Sequence, residues 1–198
     1  MILDISPYST DKNLGKAYND AFRNTSDEVT HICFRDGDTC WLTPDYGVHL
    51  AEYVRLYPDA VLTCWTNRIN ERAEQQSKMQ VHDGTRVRDN QHIVRIATDM
   101  TTHLIAAQMQ LKDLYNVTPL HGFVSGFCMV IPRSVWNNNK FAEQQVYSDR
   151  GPTNMLGVDN DFTNRIRAAG VPVLRMDGLY MFHIYRMLQG DHDKSHLL

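Results

Sequence analysis

Val29-Thr30-His31-Ile32-Cys33-Phe34-Arg35-Asp36-Gly37-Asp38 carries an apolar strand directly into two carboxylates. Residues 29–34 read as a strand with both faces covered, since the apolar run is near-continuous rather than alternating. Asp-Gly between apolar runs ordinarily marks a hairpin. Here the following residues, Cys40-Trp41-Leu42-Thr43-Pro44, lead toward a helix and not into a returning strand of equal length. Thr43-Pro44-Asp45 carries the start signal, with Thr as N-cap, Pro at the first helical position and an acid in the first turn. Tyr46, Leu50, Tyr53, Val54 and Tyr57 then keep one apolar helical stripe. Strand, acidic turn, helix is the unit of an α/β protein.

The same alternation extends in both directions. Residues 2–6 read as a short strand and 14–22 as a helix with Leu14, Ala17, Tyr18, Ala21 and Phe22 on one face. Residues 60–65 read as a strand, and 71–90, polar and rich in Gln and Arg, as a mobile loop. Ile93, Ile96, Met100, Leu104, Ala107, Leu111 and Leu114 space one long helix over 91–115. Residues 123–131 form a further apolar strand, and 158–169 a helix stopped by Gly170 and Pro172. Residues 171–176 and 179–185 are strand-like, and 187–198 form a polar tail. The pattern predicts a single three-layer α/β/α domain with a mostly parallel, mixed sheet, whose ligands would sit beyond the carboxyl ends of the strands.

Composition narrows the partners. The 198 residues are 42% hydrophobic and 22% charged, an ordinary globular balance. A net charge of -3 offers no basic face for nucleic acid or anionic lipid. With a mean hydropathy of -0.42 and no long unbroken apolar run, the sequence carries no spanning helix. Met1-Ile2-Leu3-Asp4 lacks the basic start of a secretory leader, so the chain is expected in the cytoplasm, at most peripheral at the inner membrane face. Cys33, Cys64 and Cys128 fall inside apolar runs and read as reduced core thiols.

Five constellations carry the chemistry. Asp36 and Asp38 place two hard oxygen donors close enough to share one divalent cation, which also binds diphosphate oxygens. In Gly157-Val158-Asp159-Asn160-Asp161-Phe162, one acid can cap a helix while the other faces a cleft and takes a proton from a hydroxyl. Ser125 and Gly126, at the mouth of a buried strand, let a ligand approach the backbone. Asn67 and Arg68 set an amide and a guanidinium at the end of strand 60–65, and Arg186 calls for an anionic partner such as phosphate.

The order of these pieces resembles the GT-A glycosyltransferases, closest to the inverting family 2 type. Ser6-Pro7-Tyr8 comes first, then Asn13-Leu14-Gly15-Lys16-Ala17-Tyr18-Asn19 and Asp36-Gly37-Asp38. Phe123-Val124-Ser125-Gly126-Phe127-Cys128 follows, then Asp159-Asn160-Asp161 and His183, so that residues 2–186 are covered. The resemblance implies that Asp36, Asp38 and His183 hold Mn²⁺ or Mg²⁺, with Asp38 the more direct ligand. It makes Asp159 the base, with Val158 where the family usually has Glu. Ser6, Pro7, Tyr8, Asn13, Lys16 and Arg186 would then meet the nucleotide diphosphate, and Asn67, Arg68, Ser125, Gly126 and Asp161 the sugar and acceptor. Five residues separate Tyr8 from Leu14 where the family carries further strand–helix units, so the nucleotide-binding part is abbreviated. The expected activity moves a sugar, with inversion, from a nucleotide-diphosphate donor, a UDP-sugar foremost, to a glycan, lipid-linked or protein acceptor. The alternatives are a non-catalytic sugar-nucleotide or partner-binding module and a metal-dependent hydrolase or nucleotidyltransferase.

Overall fold

The computed structural model describes residues 1–11, 13–66, 90–122, 124–144 and 157–183, with backbone alone for 90–99. The loop expected at 71–90, all but its last residue, and the tail at 187–198 lie outside the described residues. Among the described residues seven strands form one sheet: β1 (Ile2–Ile5), β2 (His31–Arg35), β3 (Thr39–Trp41), β4 (Val61–Thr66), β5 (Val117–Pro119), β6 (Cys128–Pro132) and β7 (Val173–His183). Five α-helices among them accompany it: α1 (Leu14–Arg23), α2 (Tyr46–Leu56), α3 (Asn90–Gln110), α4 (Arg133–Asn138) and α5 (Val158–Ala168). The strand order is β1-β2-β6-β4-β7-β3, with β5 also on β7.

The sheet is mixed and not mostly parallel. β1/β2 and β4/β7 pair in parallel, while β2/β6, β4/β6, β3/β7 and β5/β7 are antiparallel. A near-continuous apolar run such as Cys128-Met129-Val130-Ile131 reports burial on both faces, and burial is indifferent to strand direction. β6 therefore sits centrally yet runs opposite to both neighbours.

Alternation along the central strands divides the core. Ile32 and Phe34 of β2, with Met129 and Ile131 of β6, pack with Tyr18 and Phe22 of α1, Trp136 of α4, and Phe162 and Ile166 of α5. Cys33, Cys128 and Val130 point the other way, to Leu50, Tyr53 and Val54 of α2. Cys33, Cys64 and Cys128 are buried free thiols, as their apolar settings predict. Each helix residue pair i, i+4 on these faces (Tyr18/Phe22, Phe162/Ile166) is the helical stripe that the spacing requires.

Local signals place most termini. Asn13 caps α1, its Oδ1 accepting the Lys16 N–H at 2.9 Å. Gly170, at φ 76°, ends α5, and the Val171 N–H returns to the Ile166 carbonyl at 2.9 Å. Thr43 is not the cap of α2. Asp45 holds that position with φ 51°, and the buried Thr43 hydroxyl instead accepts the Tyr180 N–H at 2.8 Å, tying the approach to α2 onto β7.

The two strand-like stretches near the C-terminal end are one bent strand, β7. One of its edges follows β4, while the other takes β5 and then β3. Between Cys64↔Met176 and Trp65↔Tyr180 the register slips, leaving Asp177, Gly178 and Leu179 without partners on β4. Gly178 is required there, because an added Cβ would stand 2.6 Å from Leu114 Cα and 2.9 Å from Leu114 N. Tyr53 of α2 braces the bend: its Oη accepts N–H bonds from Gly178 at 3.0 Å and Tyr115 at 2.8 Å, and donates to the Asn116 carbonyl at 3.2 Å.

Candidate metal centre

β2 ends its ladder at Arg35, opposite Cys128, and the Asp36 N–H then bonds the Phe127 carbonyl at 3.1 Å. The chain turns at once. Thr39 donates to the Asp36 carbonyl through its hydroxyl at 2.6 Å and through its N–H at 3.3 Å. The strand that leaves this turn does not return along β2. It pairs with β7, and Thr39 lies opposite His183. The hairpin alternative for Asp-Gly is thereby excluded, and Asp38 is brought beside the end of β7.

His183 Nε2 lies 3.3 Å from Asp38 Oδ1 and 3.6 Å from Asp36 Oδ2. One nitrogen and two carboxylate oxygens converge within 4.8 Å of one another, an arrangement that could hold a metal ion. His183 is buried, and its ring stacks on Phe127 at 5.7 Å between centroids. Phe127 thus fixes two of the three residues, Asp36 through its carbonyl and His183 through its ring. Two carboxylate oxygens and an imidazole nitrogen are a donor set that divalent cations accept. Burial drives the Asp36 carboxyl up to about 6; His183 pulls it down, and the charges of Asp38 and Asp159 push it up further. A divalent cation bound there would favour the ionised forms of these acids.

Asp159 is the second residue of α5. Its Oδ2 accepts the Gly126 N–H at 2.9 Å and its Oδ1 accepts the Asn160 N–H at 2.9 Å. Burial still raises its pKa above the ordinary carboxylate value, against the lowering effect of those backbone bonds. The charge of Asp159 raises the Asp36 pKa, which places the start of α5 within electrostatic reach of the candidate metal-binding turn.

The other sequence-derived positions divide. Gly126 lies in this site, bonded to Asp159, and half-buried Ser125 precedes it. Asp161 is engaged on its own helix, accepting from Arg165 Nε at 2.9 Å and from the terminal guanidinium nitrogen at 2.8 Å. Asn13 spends Oδ1 on the cap and donates through Nδ2 to the Glu143 carbonyl at 2.9 Å. Lys16 pairs with Asp20 at 2.6 Å. Ser6, Pro7 and Tyr8 follow β1 as open chain, with Tyr8 85% exposed. Asn67, Arg68 and Arg186 lie outside the described residues. Sequence reasoning passed over Phe127, which reads as apolar filling of a strand; an aromatic directly after the Ser-Gly pair was the available signal for it.

No protein-family model matches the chain, and no curated protein matches it. Fold and site together define an α/β protein with a candidate Asp-Asp-His metal centre beside a buried carboxylate. Among the described residues no helix is long and apolar enough to cross a membrane.

Proposed function

We propose that this is a metal-dependent glycosyltransferase with a GT-A-like three-layer core, taking a nucleotide-diphosphate sugar, a UDP-sugar foremost, and transferring the sugar to an acceptor hydroxyl with inversion. The observation that carries the reading is the meeting of Asp36, Asp38 and His183 beside Asp159. These residues come from distant parts of the sequence, in the order the GT-A resemblance implies.

Asp36, Asp38 and His183 would hold Mn²⁺ or Mg²⁺. A bound divalent cation supplies neutralisation of the charge that develops on the leaving diphosphate. Asp159 takes the proton of the acceptor hydroxyl as its oxygen bonds to the anomeric carbon and the bond from that carbon to the diphosphate breaks. Its raised pKa makes it a better base than an ordinary carboxylate. Gly126 and Asn160 hold the carboxylate in place through their N–H groups, so it is oriented before substrate arrives. One carboxylate acting as base on the face opposite the leaving group fits inversion.

The test is a panel of nucleotide sugars in thermal unfolding, with and without Mn²⁺. A donor at 100 times its Kd adds about 2.7 kcal/mol, which raises Tm by roughly 5–11 °C for a chain of this size. No Mn²⁺-dependent shift with any nucleotide sugar overturns the reading. A shift without transfer leaves a binding module, and release of free sugar without acceptor indicates hydrolysis.

A further inference from the structure

Tyr18 lies on the inner face of α1 with 2% of its surface exposed. Its ring is held between Phe34 and Phe141, 4.6 Å from each between centroids. That packing explains the ring but not the hydroxyl. No hydrogen bond holds Tyr18 Oη among the described residues, and the oxygen is not fully enclosed: the one enclosed side-chain polar atom there without a partner is His103 Nε2.

Gly126 shows where the hydroxyl points. A Cβ added there would stand 3.5 Å from Tyr18 Oη and 3.5 Å from Asp159 Oδ2. The two oxygens therefore face one methyl-sized space over the glycine. Backbone conformation does not demand a glycine at 126, since Gly170 is the one glycine with positive φ among the described residues. What the missing side chain leaves is room. Burial, together with the charges of Asp36 and Asp159, holds the Tyr18 pKa well above its ordinary value, so the hydroxyl keeps its proton and can donate.

We propose that Tyr18 contacts the substrate: its hydroxyl donates to, and Asp159 accepts from, one alcohol oxygen of a sugar lodged over Gly126. This rests on the glycosyl-transfer reading. An alcohol donates one hydrogen bond and accepts others, and a phenol beside a carboxylate is its complement. Asp159 Oδ2 has a lone pair to spare after accepting from Gly126. Nothing is transferred to or from Tyr18 itself. The alcohol belongs either to the donor sugar or to the acceptor.

Tyr18→Phe and Gly126→Ala test this. The first keeps both ring contacts and removes only the hydroxyl. The second fills the space with a methyl at ordinary van der Waals distance. Both variants should melt no more than about 2 °C below the wild type and bind Mn²⁺, followed by its electron paramagnetic resonance, with unchanged affinity. With Mn²⁺ present, UDP alone should bind all three proteins alike. UDP-glucose, UDP-galactose and UDP-N-acetylglucosamine are then compared, with a set of methyl glycosides as acceptors. Donor affinity reduced about fivefold or more in both variants assigns the alcohol to the donor sugar. Unchanged donor affinity with transfer reduced by that factor assigns it to the acceptor. Donor affinity and transfer both unchanged overturns the assignment, as does a Tyr18→Phe melting point lowered by more than about 4 °C, which would mean the hydroxyl serves the fold. If the wild type binds none of the UDP-sugars, the donor it does bind in the nucleotide-sugar panel replaces them, and binding of no nucleotide sugar overturns the transfer reading and this assignment with it; wild-type binding with unaltered variants overturns this assignment alone.

Discussion

Asp36→Asn should stabilise the metal-free protein at neutral pH. The Asp36 carboxyl rises from 3.8 to about 6 in the folded chain, because partial burial raises it and the charges of Asp38 and Asp159 add to that, against the pull of His183. At 1.36 kcal/mol per pH unit the ceiling on the cost of keeping it ionised is about 3 kcal/mol. The side chain retains 42% of its exposure, and solvent screening reduces that to about 1–2 kcal/mol. An amide of the same shape removes the cost, so the metal-free variant should melt roughly 2–8 °C above the wild type at pH 7.5. The folded-state pKa is raised, so the folded protein binds the proton more tightly than the unfolded chain. Wild-type stability without metal should therefore improve as pH falls from above 6 toward 4, and the advantage of the variant should fade over that window. Mn²⁺ should reverse the ranking, since the wild type gains a bound ion and the variant loses a charged ligand. Melting curves from pH 4.5 to 8, with chelator and with Mn²⁺, decide it. A variant less stable than the wild type at pH 7.5 in chelator, or one with an undiminished Mn²⁺ shift, refutes the electrostatic account of this turn.

Asp38→Asn should keep the fold and abolish Mn²⁺-dependent nucleotide binding, as read by isothermal titration; retained metal-dependent affinity would remove Asp38 from the centre. Asp159→Asn should leave donor affinity within a few-fold and cut transfer by on the order of 10²–10⁴. If Asp161→Asn shows that loss instead, the base is the other acid of the pair. Tyr53→Phe strips a partner from the Gly178 and Tyr115 N–H groups and should cost about 1–3 kcal/mol, seen in urea or thermal unfolding as lowered stability with Mn²⁺ affinity retained. No loss of stability there would mean that the bend of β7 is held by packing alone.

Much of the site was legible because its residues obey local rules. An apolar run that ends in Asp-Gly-Asp and does not return as a hairpin already marks the end of β2, whereas β3, three residues that pair with β7, carries no signal of its own. An acid two residues into α5 is favoured by the helix start whatever else it does. What sequence could not show depends on partners far along the chain. β5 has three residues and no periodicity to detect; it exists because β7 offers it an edge. α4 is one turn and a half, begun where Pro132 leaves β6. Thr43 looked like a cap because its type and position fit one, but the Tyr180 N–H, contributed from β7, claims its hydroxyl. Tyr18 was visible as part of an apolar stripe. Which way its hydroxyl points is settled by Phe34, Phe141 and Gly126, and no helical spacing encodes that.

The bent strand β7 also sets an order of events. It is the last of the described strands along the chain, and β3, β4 and β5 all pair with it. A chain still in synthesis, with residues 1–144 free but 173–183 not yet available, can ladder β1, β2, β6 and β4 while β3 and β5 have no partner. Asp36 and Asp38 would already be present in that intermediate, and His183 would not. The loop-closure entropy of bringing the two ends of the site together must then be met by protein contacts, chiefly the β4–β7 ladder, before an ion can gain its third ligand. In that order of assembly an ion at this centre would gain its third ligand only after β7 has docked.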